Sequence, residues 1–86
     1  MVFELKQSDY SFLKKYSPES IELTNVTSSS STIRFDVADV SEFQSRINDS
    51  VLEFGLDDED TVNDIGKRLY NIYDELLYQK YENKAP

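Results

Sequence analysis

Val62, Ile65, Leu69, Ile72 and Leu76 recur at spacings of three and four, the period of one face of an α-helix. Tyr70, Tyr73, Leu77 and Tyr81 run beside that line and widen the apolar stripe beyond a narrow coiled-coil seam. Asp64, Lys67, Arg68, Asn71, Asp74, Glu75 and Gln79 take the outward positions. The spacing predicts a helix from about Asp58 to Glu82, roughly 35 Å long at ~1.5 Å per residue. In a chain of 86 residues, a helix of that length must be the surface on which the rest packs. Gly66 interrupts its flank and allows another backbone to approach closely.

A second helix is predicted over about 41–54. Val40, Phe43, Ile47, Val51 and Phe54 share its apolar face, while Glu42, Arg46 and Asp49 point outward. Asp39 or Ser41 is its cap, and Asp39 with Glu42 has the spacing of a capping box. Gly55 stands where a left-handed C-terminal cap is wanted, with Leu56 placed to fold back as its hydrophobic contact. Only Leu56 and Asp57 would then separate the helices, which favours an antiparallel or steeply angled pair with facing apolar sides.

The first half of the chain reads differently. Val2 to Leu5 fits an edge strand or the lead-in to a helix. Ser8 is placed to cap a short helix over Asp9 to Tyr16 whose face is Phe12, Leu13 and Tyr16, and Ser17-Pro18 ends it. Thr32 to Val37 alternates as a strand, with Ile33, Phe35 and Val37 on one face. Ile21 to Val26 is its predicted partner, broken at Asn25-Val26 by a bulge or a frayed end. The run Thr27 to Ser31 between them reads as a solvated hairpin tip, with no glycine to fix a tight turn. No internal repeat or domain boundary appears. The expected fold is a single small α+β domain over residues 1–86: a β-hairpin, in a two- or three-stranded sheet, packed on two C-terminal helices, with a short N-terminal helix. The alternative is a helical hairpin carrying a loose β-ribbon.

Function is bounded mainly by exclusion. The chain has no cysteine and no histidine, so disulfides, thiolate metal sites and Ser-His or Cys-His nucleophiles are ruled out. Its two glycines, Gly55 and Gly66, make no phosphate loop. An EF-hand count from Asp58 fails, because Asn63 stands at the sixth position and Leu69 at the twelfth. Paired-acid glycoside chemistry needs a cleft that a chain of this length hardly provides. The expectation is therefore a non-enzymatic protein with no cofactor and no metal.

Charge is the remaining signal. The net charge is −8, and it is unevenly placed. Residues 1–50 hold five bases and eight acids, residues 51–60 hold five acids and no base, and residues 61–86 hold four of each. Such a field repels nucleic acid and anionic lipid and favours a basic partner. No run approaches the ~20 apolar residues of a membrane span. The N-terminus lacks the pattern of a secretory signal, so the triplets Asn25-Val26-Thr27 and Asn48-Asp49-Ser50 read as chance matches to the glycosylation motif, and the expected location is cytoplasmic.

Two groups of residues are the candidate partner-binding positions. The first is the acidic corner Glu53, Asp57, Asp58, Glu59 and Asp60 with Asp64 and Glu42; the plainer account of the cluster is helix capping, since carboxylates in a first helical turn are favoured by the helix dipole. The second is Tyr78 and Tyr81, since tyrosine is enriched in interface hot spots, whereas Tyr70 and Tyr73 belong to the rim of the core. The expected function is an acidic protein-binding module that inhibits or regulates a basic, nucleic-acid-binding protein by mimicking DNA charge. The alternative is an assembly protein, monomer or homodimer, that docks through the apolar and tyrosine-bearing face of the last helix.

Overall fold

A computed structural model describes residues 1–58 and 61–82. The elements in chain order are β1 (Val2–Lys6), α1 (Gln7–Tyr16), α2 (Pro18–Ile21), β2 (Thr24–Ser29), β3 (Thr32–Val37), α3 (Val40–Phe54) and α4 (Asp64–Glu82). The strands form an antiparallel sheet in the order β1-β3-β2, which makes the fold α+β with a three-stranded sheet.

The N-terminal segment is a strand. Phe3 and Leu5 face the core opposite Phe35 and Ile33, while Val2, Glu4 and Lys6 turn outward. Helix α1 follows with no intervening loop, so it starts two residues before the expected Asp9 and Ser8 lies inside it rather than capping it. One of its unpaired amides is satisfied from a distance, since Gln7 N donates to Ser31 O at 3.0 Å. Proline at the first position of α2 is pre-set for helix, so the predicted strand from Ile21 begins only at Thr24. It also runs further than expected, to Ser29, which leaves Ser30 and Ser31 as the hairpin tip. Asn25 and Val26, where a break was expected, pair in register; the irregularity falls just after them, as a bulge between Val26 and Ser28.

Helix α3 matches its predicted span to within a residue. The Asp39 carboxylate accepts from Glu42 N at 3.1 Å, but the Glu42 side chain pairs with Arg46 instead of returning to Asp39, so half of the capping box forms. Gly55 is not left-handed; its φ of −94° and ψ of 0° suit any residue. Glycine is required there by contact. A Cβ built on Gly55 would stand 2.7 Å from the Gly66 Cα, and one on Gly66 would stand 2.4 Å from the Gly55 carbonyl oxygen.

The link to α4 is longer than expected. Leu56 does not fold back as a cap but bridges to Val62, and Asp57 N donates to Thr61 O at 2.9 Å. Asn63 then begins α4, its side-chain oxygen accepting from Gly66 N at 2.9 Å and its amide donating to Phe54 O at 3.0 Å. Asp57 and Asp58 therefore lie before the helix, not in its first turn, and Val62 precedes the face it was expected to lead. Gly55 against Gly66 at one end, and Lys80 Nζ donating to Gln44 Oε1 at 3.5 Å at the other, fix α3 and α4 as an antiparallel pair.

The helices cover one face of the sheet. Phe3, Phe35 and Phe43 form a triangle with ring centroids 6.0–6.1 Å apart, and Leu13, Ile47, Val51, Leu69, Ile72 and Leu76 close around it. Among the described residues no helix is long and apolar enough to cross a membrane.

Candidate functional site

Residues Glu42, Asp49 and Glu53 stand on the outward face of α3 at helical spacings of seven and four. Across from them runs α2, held against α3 by small buried side chains. Ser17, Ser20 and Ser50 are at most 2% exposed, and Ser50 Oγ and Ser17 Oγ are 2.7 Å apart. Hydroxyl-bearing residues of this size let the two helices approach closely while leaving no buried hydroxyl unpaired. Ser20 Oγ meets its own need by donating to Ser17 O at 2.7 Å.

This close approach brings Glu19 and Glu22 to the rim of a groove of about 450 Å³ whose other wall is Glu42, Asp49 and Glu53. Arg46 lies on its floor, half-buried rather than outward-pointing as the spacing implied. Its guanidinium is already engaged: Nε donates to Glu42 Oε1 at 3.1 Å, Nη1 donates to Glu19 O at 2.8 Å, and Nη1 lies 3.6 Å from Glu22 Oε2. Glu19, Asp49 and Glu53 carry no carboxylate hydrogen bond among the described residues, so the groove presents unneutralised charge to solvent.

The predicted acidic corner is only partly a unit. Glu53 belongs to the groove wall, one turn before the link. Asp57 is occupied in shaping the link, since its Oδ1 accepts from Thr61 N at 2.9 Å. Asp58 is exposed beside it and Asp64 opens α4; Glu59 and Asp60 lie outside the described residues. No group of three or more Asp or Glu among the described residues is arranged to hold a metal ion.

Tyr78 and Tyr81 are 62% and 63% exposed, and neither lines the α2–α3 groove. They sit fourteen and seventeen residues along α4 from Asp64, roughly 21 and 26 Å at ~1.5 Å per residue. Tyr73 packs against the core as expected, whereas Tyr70 is 39% exposed and stands outside it.

The reading from sequence missed Glu19, Glu22 and Asp49 as members of one surface. The spacing of Glu42, Asp49 and Glu53 on α3 was open to view. The contribution of α2 was hidden because Pro18 to Ile21 was not read as a helix.

No protein-family model matches the chain, and comparison with curated proteins and with solved structures likewise gives no match.

Proposed function

We propose that this protein is a non-enzymatic acidic binding module that docks on a basic protein surface, of the kind that nucleic-acid-binding proteins present, and inhibits or regulates it by charge mimicry. One observation carries the reading: among the described residues the α2–α3 groove gathers five carboxylates around one cation, Arg46, that is spent on internal pairing. Beyond the groove, Asp58 and Asp64 are also exposed. Rows of fixed carboxylates raise the local concentration of a basic partner and speed its encounter. The reading includes a cytoplasmic setting, no direct contact with nucleic acid and no membrane association.

The test compares wild type with Glu19→Gln, Asp49→Asn, Glu53→Gln and Asp58→Asn combined, after circular dichroism shows equal folding. Both serve as baits in a host lysate, and the captured proteins are then titrated against salt. The expected result is a basic partner held by wild type, released between low and physiological salt, and lost by the neutralised bait. Equal retention by both baits overturns the reading.

A second reading, assembly through the last helix, is favoured by the exposure of Tyr78 and Tyr81. It expects self-association or docking that salt does not dissolve and that Tyr78→Ala abolishes, measured by sedimentation.

A further inference from the structure

The sheet has an edge that the fold closes in an unusual way. In an antiparallel ladder successive residues direct their backbone groups to alternate sides. Phe3 and Leu5 face Phe35 and Ile33 across the ladder, and Glu4 between them turns its N–H and C=O away from β3. Among the described residues no strand meets those groups; the Gln79 side chain does. Its Oε1 accepts from Glu4 N at 2.9 Å and its Nε2 donates to Glu4 O at 2.7 Å. A primary amide used in this way presents one acceptor and one donor to the strand edge, the pattern that a neighbouring strand's backbone would present.

Helix α4 runs antiparallel to β1 along this edge, with Glu82 near Val2 and Glu75 near Lys6. Between helix and strand the surface is grooved, with a concavity of about 550 Å³ towards Val2 and Glu82 and another of about 430 Å³ towards Lys6 and Asp9. Gln79 and Glu4 border both. A strand edge beside a helix is a setting in which an extended segment gains main-chain hydrogen bonds and seats alternate side chains. The opposite edge, β2, is interrupted by its bulge, which disfavours regular pairing.

We propose that the groove between β1 and α4 receives an extended segment bearing lysine or arginine by strand addition, with Gln79 standing in for that strand until it binds. Charge selects the occupant. Glu75, which accepts from Gln79 Nε2 at 2.9 Å, and Glu82 line the groove from the helix, Glu4 from the strand and Asp9, which Arg68 holds at 3.4 Å, from its far end, against Arg34, which is paired to Glu4, and Lys6. The surface is distinct from the α2–α3 groove, so its failure leaves the proposed function standing.

The probe is a blocked octapeptide of alternating lysine and valine, titrated into the ¹⁵N-labelled full chain. Shifts confined to β1 and to residues 75–82 are expected. Gln79→Ala, checked by circular dichroism, removes the competing amide and tightens binding on the order of fivefold, the equivalent of one hydrogen-bonded pair. Hydrogen exchange gives an independent readout: the Glu4 amide exchanges faster in Gln79→Ala and is protected again by the peptide. Combined Glu75→Gln and Glu82→Gln weakens binding roughly threefold or more at low salt. The same peptide N-methylated at every residue has no N–H on either edge and cannot pair, and its binding is lost. Equal binding by the N-methylated peptide, shifts on the α2–α3 groove instead of β1, unchanged affinity in Gln79→Ala, or no binding at all overturns the proposal.

Discussion

Gly66→Ala is the sharpest test of how α3 and α4 are joined. In most helices this substitution stabilises, by up to about 1 kcal/mol, because alanine is the better helix former. Here the added methyl would stand 2.4 Å from the Gly55 carbonyl oxygen, 2.9 Å from the Gly55 Cα and 2.9 Å from Val62 Cγ1. Two of those three neighbours are backbone and cannot rotate away. The Gly55 carbonyl is also fixed, since Asn63 N donates to it at 2.8 Å, so retreat strains the bond that sets the start of α4. Overpacking of this kind costs about 1–3 kcal/mol, and a weakened hydrogen bond adds about 1 kcal/mol. After the propensity gain is subtracted, the net loss is about 2 kcal/mol. For a domain of this size that lowers Tm by roughly 8–16 °C. Thermal unfolding followed by circular dichroism, with urea midpoints as a second measure, checks it. A Tm equal to or above wild type would refute the contact and leave Gly66 as an ordinary helical glycine.

Three further substitutions probe other joints. Phe43→Ala removes one corner of the three-ring cluster and is expected to cost about 3–5 kcal/mol, seen as a large fall in urea midpoint. Asn63→Ala removes the cap of α4 and the bond to Phe54 O, for a loss of about 1–2 kcal/mol. Asn63→Asp keeps the capping oxygen but cannot donate to Phe54 O, so it should recover only part of that loss in the same urea series. Ser50→Ala leaves the buried Ser17 hydroxyl without its 2.7 Å partner and should lower stability by about 1–2 kcal/mol, with the α2 amides showing the largest rise in hydrogen exchange.

What the sequence disclosed follows from which forces are local. The apolar faces of α3 and α4 were legible because helical periodicity is written in consecutive residues, and Phe43, Ile47, Val51, Leu69, Ile72 and Leu76 are all buried. The alternation of Ile33, Phe35 and Val37 marked β3 for the same reason. The failures sit where a distant partner decides. Val2 to Lys6 is a strand because β3 offers an edge thirty residues away, and nothing within those five residues selects strand over helix. Gly55 and Gly66 were each noticed, but that they exist for one another is a tertiary fact. The local pattern puts the start of α4 six residues early because Asp57 to Asp60 has the composition of a favourable first turn. Asn63, a better cap in the right contact, takes that position instead. The acidic groove was half visible, since its α3 wall is periodic and its α2 wall is not.

The two acidic surfaces use charge in different ways, and their separation follows from the packing. On one flank α3 meets α2 through Ser50, Ser17 and Arg46, and on the other it meets α4 through Gln44 and Gly55. The far flank of α4 then reaches β1 through Gln79. The α2–α3 groove and the β1–α4 groove share no lining residue. Exposed charges more than a Debye length of about 8 Å apart are largely screened at physiological salt, so carboxylates of one groove act weakly on a ligand seated in the other. Neutralising Glu19, Asp49 and Glu53 should therefore leave the lysine-valine peptide's affinity within about twofold of wild type at that salt, because distant sites act additively. A larger loss, read in the same titration, would show that the peptide is held by the net charge of −8 rather than by the strand edge beside it.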